Sequence, residues 1–263
     1  MPEYSWDLSG VRRPRTTPLI STFKGRYGDV NVWTTFSQDQ IDLNYRNPEV
    51  LLRIIDLLLY YHRMGARIFR LDAIGFLWKK SGTECIHLKE THLIVKLIRR
   101  VFDRVDPSVM LITETNVPHQ ENIAYFGSGD ESHAIYQFAL PPLLLHTLHT
   151  GNSEKIVKWL SSIEYRENCY FLNFLACHDG IGIMPVKGIL SEEEINNLVK
   201  ITERNNGMIS YRTTKEGEKP YELNITYLDA LNSGDDNNEI LYRKFILAHA
   251  LMLSLKGIPA IYI

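Results

Sequence analysis

Three short apolar runs in this chain end in ionisable residues whose types suit acid–base and nucleophilic chemistry. One ends Arg70-Leu71-Asp72, a second ends Thr113-Glu114, and a third leads into His178-Asp179. Successive side chains of a strand alternate faces, so Arg70 and Asp72 are expected to point together. A cation beside a carboxylate keeps it ionised at neutral pH, and an ionised carboxylate at a strand end can serve as a nucleophile. Glu114 follows a largely apolar run, where desolvation raises a carboxyl pKa and suits a general acid. Two carboxylates pushed in opposite directions are what cleavage of a glycosidic bond requires. The plainer alternative is that each charge is a solvated strand boundary or a helix cap, and residue type alone leaves both readings open.

The elements that must position these groups alternate between two periods. Asn47 and Pro48 form an N-cap and first helical residue. Leu51, Leu52, Ile55, Leu58 and Leu59 then recur at helical spacing, and Gly65 follows as a C′ residue. Residues 66–72 read as a strand, 90–105 as a helix closed by Pro107, and 109–114 as a second strand. Strands are expected at 133–138, 170–176 and 258–263, with helical material from Leu143 to His149 and a helix over 238–256. Ser191-Glu192-Glu193-Glu194 is a capping box opening a helix to about Asn205. Residues 1–36 read as irregular with one or two short strands, and 208–230 as a long ordered loop rich in Tyr, Gly and Pro. Strands alternating with helices predict an α/β fold with a parallel sheet and crossover connections. In a (β/α) barrel the strand C-termini converge on one face, where active sites lie.

Composition narrows the function. The 263 residues carry 29 Lys plus Arg against 31 Asp plus Glu, a formal charge of -2. A nucleic-acid binder would carry a basic excess. The 44% hydrophobic content is that of a globular chain. Apolar stretches stop well short of the ~20 residues a membrane helix needs, so no membrane partner is expected. The opening Met-Pro-Glu-Tyr-Ser-Trp has no basic region ahead of an apolar run, so no leader is expected. Cys85, Cys169 and Cys177 are odd in number and show neither disulfide nor zinc-ligand spacing. The expectation is a cytoplasmic protein with no metal. His87 and His92 near Cys85 fit no metal motif and read as structural. Asp235-Asp236-Asn237-Asn238 lacks the Gly and Glu of a calcium loop and reads as a turn with a helix cap. Gly127-Ser128-Gly129 lacks the strand-to-helix setting of a phosphate cradle.

Three segments together carry a resemblance. Phe69-Arg70-Leu71-Asp72-Ala73-Ile74-Gly75, Ile112-Thr113-Glu114 and Ala176-Cys177-His178-Asp179-Gly180-Ile181-Gly182 resemble three sequence regions of the α-amylase superfamily, glycoside hydrolase family 13. The run from Gln137 to His146, Trp33-Thr34-Thr35-Phe36-Ser37 and Gly82-Thr83-Glu84-Cys85 are similar to the sucrose phosphorylase branch. The resemblance covers essentially the whole chain and implies roles. Asp72 matches the nucleophile, Glu114 the general acid/base, and Asp179 the carboxylate that holds the sugar hydroxyls. Arg70 matches the arginine that orients the nucleophile, and His178 a histidine on the glucosyl unit. Gln137, in the branch-specific run, is a candidate substrate-binding residue. Arg13 and Arg15 lie in Arg12-Arg13-Pro14-Arg15, which resembles an Arg-Pro-Arg element on the acceptor side. Tyr221 and Glu222 lie in Pro220-Tyr221-Glu222-Leu223-Asn224, which resembles the loop after the seventh strand. Sucrose phosphorylases have Tyr-Gln there, so Glu222 puts strict sucrose specificity in doubt.

The implied fold is an eight-stranded (β/α)8 TIM barrel, incomplete here. Residues 1–46 are expected to supply a domain B-like segment and residues 47–263 the fourth to eighth strands. Five strands cannot close a barrel, so a fragment of a longer product is expected. The implied reaction is retaining transfer of an α-glucosyl group from sucrose or glucosylglycerate to inorganic phosphate, through a covalent glucosyl-aspartate, with no cofactor. The alternatives are an α-glucoside hydrolase or transglucosylase with the same carboxylates, or an inactive carbohydrate-binding fragment.

Overall fold

The computed structural model describes residues 6–234 and 236–263. The leaderless reading of the N-terminus rests largely on residues 1–5, and the Asp235 turn on Asp235, so both lie outside the described residues. The chain divides into two compact units: residues 1–114 with 130–132 and 211–219, and residues 115–129 with 133–210 and 220–263.

The first unit begins with an antiparallel hairpin, β1 (Ile20–Gly25) and β2 (Gly28–Trp33), in the register Ile20 with Trp33. Helix α1 (Pro48–Arg63) starts as expected: the Asn47 side chain accepts the Glu49 N–H at 3.1 Å, Pro48 opens the helix, and Gly65 follows it at φ +106°. Strand β3 (Ile68–Leu71), helix α2 (Lys89–Val105) and strand β4 (Met110–Thr113) form a β–α–β unit, with β3 and β4 parallel. The crossover is driven by burial. Ile94, Ile98 and Phe102 of α2 pack on Phe69 of β3 and Leu111 of β4, and Leu51, Leu58 and Leu59 of α1 cover the same cluster. Phe69 and Phe102 stack with centroids 5.0 Å apart. His92 is structural, as expected. Its Nδ1 lies 2.7 Å from Glu131, a carboxylate buried to 3% exposure.

The second unit holds β5 (Ala134–Tyr136), α4 (Leu140–Thr150), α5 (Glu154–Ser161) and β6 (Tyr170–Asn173), with β5 and β6 parallel. Helix α4 is apolar on all sides at its start. Leu140 to His146 are all buried, as a helix without a polar face must be. It begins three residues before the expected start. Helix α6 (Glu192–Arg204) opens with both bonds of the capping box: Glu194 N–H to Ser191 Oγ at 3.2 Å, and Ser191 N–H to Glu194 Oε2 at 2.7 Å. Helix α8 (Asn238–Ser254) is capped by Asn237, and β10 (Ile258–Pro259) pairs parallel with β6. Strands β6 and β10 are shorter than expected. Each apolar run continues past the last ladder bond, so the 170–176 run ends as a strand at Asn173.

Residues 208–230 correct the sequence reading. They are not a loop. Strands β8 (Met208–Thr214) and β9 (Gly217–Asn224) form a hairpin around Lys215-Glu216, and α3 (His119–Ile123) and α7 (Tyr227–Ala230) are short helices. Strand β9 also pairs antiparallel with β7 (Ile181–Gly182), Leu223 opposite Ile181 and Glu222 opposite Gly182. Pro220 and the Gly-Tyr content suggest a loop. The available signals are Ile209, Tyr211, Thr213 and Thr214 on the first arm, Tyr221 on the second, and a two-residue turn ahead of Gly217 at φ +110°. Among the described residues no helix is long and apolar enough to cross a membrane.

Candidate active site

Strand register places the two principal carboxylates. Leu71 of β3 lies opposite Thr113 of β4, and the Glu114 N–H donates to the Leu71 carbonyl at 3.1 Å. Asp72 and Glu114 therefore occupy the next level on adjacent parallel strands, whose spacing is about 4.8 Å. Arg70 points with Asp72, as the two-residue period predicts: Arg70 Nη1 lies 2.5 Å from Asp72 Oδ1. The Asp72 side chain is 68% exposed, open to an incoming group.

The backbone between them is strained. Ala73 sits at φ +46°, a left-handed conformation that costs a residue with a Cβ roughly 1–2 kcal/mol. Its N–H donates to Glu114 Oε2 at 3.0 Å. The strained residue thus links the chain beyond Asp72 directly to the Glu114 carboxylate. Gly75 is closely packed: an added Cβ would lie 3.1 Å from the His87 ring, which would have to shift by a few tenths of an ångström, and His87 N–H bonds the Gly75 carbonyl at 3.0 Å. His87 has this bracing role, in keeping with its structural reading.

Lys79 is a residue that sequence reasoning missed. Its ammonium is 2.6 Å from Asp42 Oδ2, bonds the Phe76 carbonyl, and lies 5.2 Å from the centre of the Trp33 ring. Burial lowers its pKa, and Asp42 opposes that shift. Asp42 also accepts from the Thr35 N–H at 2.9 Å and hydroxyl at 2.6 Å. This half-buried pair fastens the Trp33–Asp42 segment to the turn that follows Asp72. The signal available in sequence was a Lys within an otherwise apolar run, Phe76-Leu77-Trp78-Lys79.

The Arg-Pro-Arg element reaches the same turn through rings. The Arg15 guanidinium lies 5.7 Å from the Phe36 ring centre, and Phe36 meets Phe76 edge-on at 5.4 Å. Arg13 is turned inward, donating to the Thr17 carbonyl at 2.5 Å.

In the second unit His178 and Asp179 sit on a tight turn rather than directly at the end of β6. Cys177 and Gly180 exchange backbone bonds of 3.1 and 2.9 Å. Gly180 is at φ +87°, and a Cβ there would lie 2.1 Å from the Leu223 carbonyl oxygen, so only glycine fits. His178 Nε2 is 3.2 Å from Asp179 Oδ2, and Asn224 donates to the Asp179 carbonyl at 2.9 Å. A cavity of about 550 Å³ is lined by His178, Asp179, Asn224, Tyr227, His249 and Tyr262.

Tyr221 and Glu222 lie on strand β9, not on a loop, and both are buried. Asn116, two residues beyond Glu114, donates to Glu222 Oε1 at 3.0 Å, and the Tyr221 hydroxyl donates to the Asn116 carbonyl at 3.3 Å. Gly182 leaves the space that the Asn116 amide fills. Gln137 is 2% exposed at the end of β5, its N–H bonded to the Leu172 carbonyl. The structure therefore brings Arg70, Asp72 and Glu114 together, and separately His178 with Asp179 and Tyr221 with Glu222. Gln137 follows β5 and is bonded through its N–H to the Leu172 carbonyl of β6.

Comparison with known proteins fits this geometry. Residues 7–179 match the family model for the α-amylase catalytic domain. A glucosylglycerate phosphorylase from Escherichia coli is 51% identical over 261 residues, 98% of this chain and 47% of that protein. A sucrose phosphorylase from Agrobacterium vitis is 30% identical over 268 residues, 97% of this chain and 51% of that protein. The crystal structure of sucrose 6F-phosphate phosphorylase from Thermoanaerobacter thermosaccharolyticum superposes with a TM-score of 0.82 at 26% identity, covering 100% of this chain and 51% of that one. The chain spans about half the length of the curated relatives it matches. With Asp72 and Glu114 level on adjacent strands and a family match through Asp179, the chain belongs to the α-amylase family, glycoside hydrolase family 13, in its sucrose phosphorylase-like part, and carries part of that family's (β/α)8 barrel.

Proposed function

We propose that the protein to which this chain belongs transfers an α-glucosyl group from an α-glucoside to inorganic phosphate with retention of configuration, and that the glucoside is glucosylglycerate. The observation that carries the reading is the pairing of Asp72 and Glu114 at one level of adjacent strands, with Arg70 on the first and the Ala73 N–H on the second. Retaining glycoside chemistry needs two carboxyl groups about 5–5.5 Å apart, and side chains at one level of adjacent strands are placed to meet that need. The Asp72 carboxylate attacks C1 of the glucosyl unit as Glu114 protonates the departing glycerate oxygen. A phosphate oxygen then attacks C1, Asp72 leaves, and Glu114 takes the phosphate proton. Asp179 and His178 hold the sugar hydroxyls, and Arg13, Arg15, Tyr221, Glu222 and Gln137 shape or support the acceptor side. Residues 1–46 serve as the domain B-like segment and 47–263 as barrel.

Glycerate rather than fructose is favoured by relatives near 50% identity that are glucosylglycerate phosphorylases, and by Glu222 in place of glutamine. The three cysteine thiols agree with a cytoplasmic protein. The test is phosphate release from α-glucose 1-phosphate by the full-length protein, with glycerate and fructose offered separately. Release with glycerate is the expected result. Release with fructose alone would reassign the acceptor. Release only as free glucose appears would make the protein a hydrolase. Saturable sugar binding without turnover, in folded protein, would leave a carbohydrate-binding relic.

A further inference from the structure

We propose that the Cys177–Asp179 turn binds a thiophilic divalent cation of the zinc type, and that the bound cation competes with the sugar there. The binding stands on the turn alone; the competition rests on the function proposed above.

Cys177 Sγ, a His178 ring nitrogen and an Asp179 carboxylate oxygen all lie within 4.8 Å of one another. Thiolate, imidazole and carboxylate are the ligand types that zinc-like ions take in fours, usually with water in an open position. At metal–ligand bonds of about 2.0–2.3 Å, tetrahedral ligand atoms stand roughly 3.5 Å apart. The three groups therefore need to close by up to about 1.3 Å, and the Cys177 thiol gives up its bond to the Gly180 carbonyl at 3.7 Å.

The backbone is already fixed. The Cys177–Gly180 turn carries both cross-bonds, Gly180 admits no side chain against Leu223, and Asn224 holds the Asp179 carbonyl. His178 and Asp179 are 61% and 46% exposed and border an open cavity of about 550 Å³, which leaves room for a completing water. Cys85 and Cys169 are buried elsewhere and do not share the turn. Spacing rules for zinc sites pass over this cluster because its ligands are three consecutive residues. On binding, the Cys177 thiol gives its proton to solvent and the thiolate, neutral imidazole and carboxylate donate lone pairs to the ion; no electron transfer is involved. The ion then holds the two side chains assigned to the sugar hydroxyls.

The test is titration of the full-length protein with Cd²⁺, followed by the ultraviolet thiolate-to-metal charge-transfer band. We expect saturation at one equivalent. Cys177→Ser removes the band, and Cys85→Ser and Cys169→Ser retain it. His178→Ala and Asp179→Asn each weaken binding about 10-fold or more. A band that survives Cys177→Ser overturns the site, and so does parental affinity in both His178→Ala and Asp179→Asn, which would mean a lone thiolate. For the competition, Zn²⁺ is expected to raise the KM for the glucoside, a chelator to restore it, and Cys177→Ser to resist it. Equal zinc sensitivity in Cys177→Ser overturns the competition. A Cd²⁺ band in protein without glucosyl turnover supports the site and removes the function proposed above.

Discussion

The ends of β3 and β4 and the turn after β6 both present an acid to solvent, yet they hold it by different means. At Asp72 and Glu114 the restraints are charge and hydrogen bonding: Arg70 on Asp72, the Ala73 N–H on Glu114, and the Lys79–Asp42 pair behind them. At Asp179 the restraint falls on the backbone, through shape and through the Cys177–Gly180 cross-bonds and the Asn224 bond to the Asp179 carbonyl. Gly180 lies where a Cβ would meet the Leu223 carbonyl at 2.1 Å, and the side chain itself is bonded only to its neighbour His178 among the bonds described. The first arrangement restrains the carboxylate side chains themselves; the second restrains the backbone that carries one. That division agrees with a nucleophile and an acid on the first pair and a sugar-holding carboxylate on the turn.

The comparison is broken most directly at the first pair. Asp72→Asn and Glu114→Gln are each expected to lower turnover by on the order of 10⁴-fold while leaving the folded state intact. The check is steady-state kinetics on full-length variants whose circular dichroism matches the parent. Turnover within tenfold of the parent for either variant would remove the roles assigned to that carboxylate.

The steric side is sharpened by Gly180→Ala. The new methyl meets a carbonyl oxygen, and the residue must hold φ +87°. The expected loss is about 3 kcal/mol or more, the combined effect of overpacking and backbone strain. It is read as a lowered denaturation midpoint. An unchanged midpoint would mean that the turn yields easily, and the contrast with the first pair would fail.

Legibility followed the same line. The two-residue strand period is local, so Arg70 beside Asp72 was readable, and so were the caps at Asn47 and Ser191. The parallel register that levels Asp72 with Glu114 was readable only as an expectation of the fold class. Contacts between distant segments were not readable. Nothing local marks Lys79 as the partner of Asp42, or Glu222 as the partner of Asn116 across 106 positions. The β8–β9 hairpin, and with it the burial of Glu222, is hidden by the Pro, Gly and Tyr content of the two arms and by the lack of alternation in β9. A carboxylate on a loop is expected to meet substrate. The same carboxylate on the middle strand of its sheet, 6% exposed, accepts a bond from Asn116.

The electrostatic side is tested away from the reacting atoms by Lys79→Met. Removing one member of a half-buried ion pair leaves the other poorly compensated, and we expect a loss of about 2 kcal/mol, below the fully buried range because both side chains keep some solvent contact and Asp42 keeps its two Thr35 bonds. Lys79→Met with Asp42→Asn should recover part of that loss, since the stranded charge is gone. Chemical denaturation of the two single variants and the double variant measures the coupling. Strict additivity would show that the pair contributes nothing beyond its separate side chains.

The smallest effect lies at the capping box of α6, where a charge and a local shape act together. Glu194 bonds Lys155 and accepts from the Ser191 N–H at 2.7 Å, and these contacts, Lys155 foremost, pull its pKa from 4.5 to about 2. A carboxyl whose folded pKa is depressed stabilises the fold above its unfolded value, and that contribution fades as pH falls from about 4.5 to about 2. Ser191→Ala removes the hydroxyl that accepts the Glu194 N–H and should cost about 1 kcal/mol at neutral pH. Because Ser191 N–H and Lys155 remain, the variant should keep most of the acid sensitivity. Glu194→Gln should lose it, flattening the stability profile through the same pH window. Parent and Glu194→Gln curves that run parallel below pH 4.5 would place the acid sensitivity of this unit on other carboxylates.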